Sequence, residues 1–135
     1  MDEKIIEKIR EIADEKKFIQ AVYLFGSQAR DNANRDSDID IAVLLEADYR
    51  EKSGEIKIKL YEELIKAGLD NIDLVILNQA SALLKYEVVK ENSLVYKKND
   101  FDAASYQSLM IRKYLDFEYY LKQNQQKFKE RILNG

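Results

Sequence analysis

The sequence predicts an α/β (α+β) layer fold with a small mixed β-sheet packed against helices, and three observations predict it. Short apolar runs rich in β-branched and aromatic residues occupy 18–25, 38–45 and 71–77. Segments of helical period lie before, between and after them. The resulting order (helix, strand, strand, helix, strand, helix) suits a sheet layered with helices. At 135 residues the chain has the size of one domain, which buries roughly two-thirds of its unfolded surface. The expected organisation is one domain over 1–135, with a core over about 1–98 and a C-terminal helix over about 101–133.

Each element follows from local pattern. In residues 3–17, Ile5, Ile6, Ile9 and Ile12 recur at helical spacing among charges, an amphipathic helix. Phe18 to Phe25 reads as a strand ending at Gly26, and the polar stretch 27–36 as a short helix or turns. A second strand runs from Asp38 to Leu45, and a helix over 51–67 is stopped by Gly68. Asn71 to Leu77 is a third strand, Ser81 to Glu91 a helix, and Leu94 to Lys97 a short strand. In 102–133, Tyr106, Met110, Tyr114, Phe117, Leu121, Phe128 and Ile132 recur at mostly helical spacing. With no proline and only four glycines, no linker is visible.

Composition narrows the chemistry. There is no cysteine, so disulfides, zinc–thiolate sites and thiol nucleophiles are excluded. There is no histidine either, which removes the commonest general base and transition-metal ligand. Catalysis must then rest on carboxylates, hydroxyls, Lys, Arg or backbone amides, an inventory suited to hard ions such as Mg²⁺ or Mn²⁺. A net charge of −3 argues against general nucleic-acid binding. The charged N-terminus has no signal-peptide apolar core, and no run approaches a membrane span, so a cytoplasmic protein is expected.

The most informative stretch is LFGSQARDNANRDSDIDIAVLL, Leu24 to Leu45. Strand alternation puts Asp38, Asp40 and Ala42 on one face and Ile39, Ile41 and Val43 on the other. Paired carboxylates repel unless a cation lies between them, which makes a metal site a natural use of the pair, although acidic turns are common. In the third strand Asp73, Val75 and Leu77 share a face, opposite Ile72, Leu74 and Ile76. Beside the second strand, Asp73 would join Asp38 and Asp40, a set able to hold two metal ions for phosphoryl or nucleotidyl transfer. As a simple strand-end residue after Asp70-Asn71 it would have no such role. Gly26 at a strand end lets backbone amides approach an anion. Ser27 would cap a following helix whose N-terminus favours phosphate, with Arg30 one turn on. The acidic loop is no EF-hand: from Asp31, the third, fifth and sixth positions are Ala33, Arg35 and Asp36.

Gly26-Ser27, ten residues, then Asp38-x-Asp40 resembles the signature of the DNA polymerase β-type nucleotidyltransferase superfamily, with Asp73 where its third acid is expected. By size, and in the tail Tyr114 to Leu121, the chain resembles the minimal nucleotidyltransferases, the MntA-type antitoxins paired with HEPN-domain toxins (HepT). The resemblance implies that Gly26, Ser27, Arg30 and Ser37 bind the nucleotide, ATP. It also implies that Asp38, Asp40 and Asp73 ligate Mg²⁺, with Asp73 assisting deprotonation of the acceptor hydroxyl. The implied activity is protein adenylylation: AMP passes to a tyrosine of the HEPN RNase toxin and silences it. A homo-oligomer, or a hetero-oligomer with the toxin, is compatible with this.

The sequence departs from that family at two points. Asp31 follows Ala29-Arg30 where relatives commonly have glycine, and Arg35-Asp36 stands where proline is frequent. Asp tolerates left-handed backbone, yet its charge lies unhelpfully near phosphates. Two other functions compete. A small-molecule nucleotidyltransferase of the aminoglycoside type needs a larger second domain than the residues after about 80 provide. A binding-only antitoxin acting by occlusion would use the aromatic-rich C-terminal helix, where Tyr119 and Tyr120 sit partly off the main stripe. The same helix packed on its own domain explains the regularly spaced half.

Overall fold

In the computed structural model, residues 3–26 and 38–134 are described. They form helix α1 (Glu3–Asp14), strands β1 (Ile19–Phe25) and β2 (Ile39–Leu45), and a 3₁₀ segment (Ala47–Lys52) leading into α2 (Ser53–Lys66). Strand β3 (Ile72–Ile76), a short 3₁₀ turn (Leu77–Gln79), α3 (Ala82–Glu91), β4 (Ser93–Lys97) and α4 (Ala103–Asn134) follow. Every expected helix and strand is present within three residues of its sequence bounds, the largest difference being α1, which ends at Asp14 rather than 17. The turn or helix expected over 27–36 lies outside the described residues.

The sheet is mixed, in the order β3-β2-β1-β4. β1 is antiparallel to both β2 and β4, while β2 and β3 run parallel. Each face carries its own core. On one face Ile9 and Ala13 of α1 and Ile56, Leu60 and Leu64 of α2 cover Val22, Leu24, Ile41, Val43, Leu74 and Ile76. On the other, Val88 of α3 covers Ala21, Tyr23, Ala42 and Leu44, with Leu84, Phe101 and Tyr106 packed alongside. A register shift between Ile19 and Ala21 turns both Ile19 and Val22 toward the α1/α2 side, against strict alternation.

Local devices end the helices. Gly68, at φ +96, follows α2; its N–H donates to Ile65 O and that of Leu69 to Leu64 O, a paired closure of the last turn. Ser81 caps α3 by accepting from Leu84 N at 3.1 Å. Two side chains fix the central strands. The Tyr61 hydroxyl accepts from Leu74 N at 2.8 Å, satisfying the open edge of β3. Asn78 Oδ1 accepts from Leu45 N at 2.8 Å and its Nδ2 donates to Leu45 O at 3.0 Å, extending the ladder at the end of β2.

Helix α4, 32 residues and about 48 Å long, is packed over its first half. Met110 is buried, Gln107 Nε2 donates to Val89 O, and Tyr114 stacks on Tyr86 with ring centroids 4.2 Å apart. Beyond it Phe117, Tyr119, Tyr120 and Leu121 are exposed. Among the described residues no helix is long and apolar enough to cross a membrane.

The Tyr23 hydroxyl is buried and lacks a hydrogen-bond partner among the described residues. Burial pushes the Tyr23 phenol up to about 12, and burial together with Tyr23 does the same to Tyr106. The unfolded chain ionises near pH 10, so it releases protons first and stability falls as pH climbs from about 10 towards 12. Tyr23→Phe is expected to leave the neutral-pH melting temperature unchanged or higher, since it removes an unpaired buried hydroxyl. It should also lessen the alkaline loss in a pH series of thermal melts. A drop at neutral pH would show that the hydroxyl is satisfied in solution.

Candidate active site at the mouth of the central strands

The burial pattern puts the acids where alternation predicted. Ile39, Ile41 and Val43 of β2 enter the α1/α2 core, so Asp40 projects from the opposite face. Leu74 and Ile76 do the same for β3, which leaves Asp73 on the face of Asp40. In the parallel ladder Asp40 pairs in register with Asp73, placing the two backbones about 4.8 Å apart. Asp38 stands immediately before β2 and is exposed, as is Asp73, whereas Asp40 is half-buried.

The electrostatics record this convergence. The Asp40 carboxyl titrates above the usual carboxylate range because of burial first, then the charge of Asp73, then that of Asp38. Like charges gathered at one mouth favour a bound cation. The donor set is all hard oxygen, suited to Mg²⁺ or Mn²⁺. Among the described residues no three acids converge as ligands of one ion. Mg²⁺ commonly uses one or two carboxylates and completes its shell with substrate phosphates and water, a demand that this donor set meets.

Gly26 is built into the same site. It follows Phe25, the β1 partner of Asp40, and adopts φ +71. A Cβ on Gly26 would collide with Asp40 Oδ2. The glycine is therefore required twice, for its left-handed backbone and for the space that the carboxylate takes. Ser27, Arg30 and Ser37, the other expected nucleotide-binding residues, lie outside the described residues, as does Asp31.

Sequence patterning missed several neighbours. Tyr61 and Asn78 hold β3 and β2 from 13 and 33 residues away, with no local signature. A cavity of about 460 Å³ also opens at the β3 edge, with Val75, Ala80 and Leu84 along its walls and Ser53, Lys57 and Gln79 as polar lining. Val75 is two residues along β3 from Asp73 and shares its face.

The profile of the family described as "Polymerase beta, Nucleotidyltransferase" matches residues 7–101. Protein adenylyltransferase MntA of Shewanella oneidensis is 36% identical over 95 residues, which cover 70% of this chain and 64% of that protein. Protein adenylyltransferase MntA of Aphanizomenon flos-aquae is 31% identical over 98 residues, covering 63% of each. The chain thus spans a little under two-thirds of the length of these curated relatives. A crystal structure of a toxin-antitoxin with AMP-PNP superposes with a TM-score of 0.65 at 26% identity, covering 95% of this chain and 98% of that one.

Two substitutions probe the geometry. Gly26→Ala should cost about 1–2 kcal/mol of stability through its left-handed backbone and displace the Asp40 carboxylate, read as a lower melting temperature and a lost Mg²⁺-induced rise. Asp40→Asn should melt no lower than the parent in chelator, because it removes a repelled charge, and should no longer be stabilised by Mg²⁺. Marked destabilisation of Asp40→Asn in chelator would contradict the repulsion.

Proposed function

This chain belongs to the polymerase β nucleotidyltransferase family, and from that premise we propose that it is a protein adenylyltransferase and antitoxin. It transfers AMP from ATP to a tyrosine hydroxyl of a HEPN-domain toxin and so neutralises it. The single observation that carries the reading is the in-register pairing of Asp40 with Asp73, with Asp38 at the strand mouth and Gly26 yielding space. The names of the two curated relatives and the nucleotide analogue in the similar crystal structure support the choice of reaction and donor.

In this reading Asp38 and Asp40 would hold Mg²⁺ together with substrate phosphates and water, and Asp73 would join the site once the nucleotide is bound. The ion supplies charge neutralisation on the triphosphate and activation of the acceptor hydroxyl. Gly26 and Ser27 present backbone amides to the phosphates, and Arg30 and Ser37 add contacts. The tyrosine oxygen attacks the α-phosphorus as the bond to the bridging β-oxygen breaks. Pyrophosphate leaves, and the phenolic proton passes to Asp73. Positioning and charge neutralisation carry most of such a transfer, so the absence of histidine is no obstacle.

Occlusion is a second, compatible reading, favoured by Tyr119 and Tyr120, which are 68% and 63% exposed beyond the packed half of α4. Incubation with ATP, Mg²⁺ and a purified HEPN-domain toxin separates the two. A mass gain of one or more AMP units on that protein is expected. It should vanish with EDTA and in the Asp38→Asn/Asp40→Asn double variant. No transfer by the parent, with full neutralisation by the double variant, would leave occlusion alone.

A further inference from the structure

The cavity at the β3 edge has no part in holding the nucleotide in the reading above, and its placement relative to the acids is directional. The sheet order sets β1, with Gly26 at its end, on one side of β2 and β3 on the other. With the phosphates on the Gly26 side, an in-line attack brings the acceptor hydroxyl from the β3 side, past Asp73. The cavity begins there, at Val75, about 7 Å along the strand from Asp73. That is about the reach of a tyrosine side chain whose backbone lies in the cleft.

The walls and rim have distinct chemistry. Val75, Ile76, Ala80 and Leu84 give an apolar floor; Ser53 and Gln79 give polar groups. Lys57 of α2 lines the cleft, and Lys85 of α3, next to the lining residue Leu84, feels the charges of Arg50, before α2, and Lys113 of α4. Gln79 bridges Arg50 and Ser53 through its Nε2. Burial first, then Lys113 and Arg50, depress the Lys85 ammonium. In a chain of net charge −3, these four cations have no ion-pair partner among the described residues.

We propose that this cleft is the acceptor subsite and that it takes an acidic, tyrosine-bearing segment of the protein substrate. Val75, at the Asp73 end of the cleft, receives the aromatic ring, and the cationic side chains receive the flanking carboxylates. The inference rests on the adenylyltransferase reading, and deepens it by naming the charge of the substrate segment.

The test is a titration of the full chain, isotopically labelled, with the peptides Glu-Glu-Tyr-Glu-Glu and Lys-Lys-Tyr-Lys-Lys. The acidic peptide should shift the amides of Gly54 and Val75, and the basic peptide should not. Lys57→Glu/Lys85→Glu should weaken acidic-peptide binding about ten-fold, and added salt should weaken it in the parent, which keeps the test decisive if the variant folds poorly. In transfer assays the same variant should raise KM for the protein acceptor and leave KM for ATP in place. Equal binding of both peptides, or ATP alone shifting Gly54 and Val75, overturns the assignment. Transfer with an acceptor KM indifferent to charge reversal sinks the cleft's role alone. Charge-selective peptide binding without AMP transfer to any tyrosine sinks the adenylyltransferase reading, and the acceptor role with it, while locating the fault in the chemistry rather than in the cleft.

Discussion

The site depends on one constraint, the register of the parallel pair β2 and β3. Ile39, Ile41 and Val43 must face the α1/α2 core together with Leu74 and Ile76, and period-two alternation then has no freedom over where Asp40 and Asp73 point. A slip of one residue in either strand would bury a carboxylate and expose an apolar row. Hydrophobic burial thus compels two like charges to stand opposite each other. The Asp40 carboxyl is raised first by its burial and then by the charges of Asp73 and Asp38. Tyr61 and Asn78 hold the two strands at the edge and the far end, and so keep the register from outside it.

The layering separates stability from chemistry. The α1/α2 face is filled by aliphatic side chains contributed by all four strands. The opposite face is shared: α3 and the first half of α4 cover Tyr23, Ala42 and Leu44, the mouth of β2 and β3 is left to the acids, and the cleft opens farther along β3. Charge placed at a mouth retains part of its hydration, so the cost of the cluster is far smaller than for carboxylates within the core. Sites at the edge of a rigid sheet inherit its precision without being buried in it.

Most of the fold was legible because its signals are local. The spacing of Ile5, Ile9 and Ile12, the alternation around Asp40, and Gly68 as a helix stop each act within a few residues, and each element lies close to its expected bounds. What was not legible depends on distance. Nothing in Leu94 to Lys97 says that it pairs with β1 on the side away from β3, nor that Asn78 completes the end of β2. Of the candidate site, Asp38, Asp40 and Asp73 could be placed on one face from alternation and an assumed strand neighbour, and that neighbour is the one found. The cationic cleft was invisible because Arg50, Lys57, Lys85 and Lys113 come from four segments with no shared spacing.

The space beside Gly26 has a further consequence. Because the Asp40 carboxylate occupies the volume that a side chain on Gly26 would claim, the two positions are not independent. What is tolerated at one is conditional on what stands at the other. An alanine at position 26 meets a carboxylate when Asp40 is present and room when it is truncated, so the cost of the pair is less than the sum of its parts. The polypeptide is thereby constrained in sequence space as well as in conformation. Drift at the end of β1 must wait on β2, and the route by which this site can change is narrower than the count of its acids suggests.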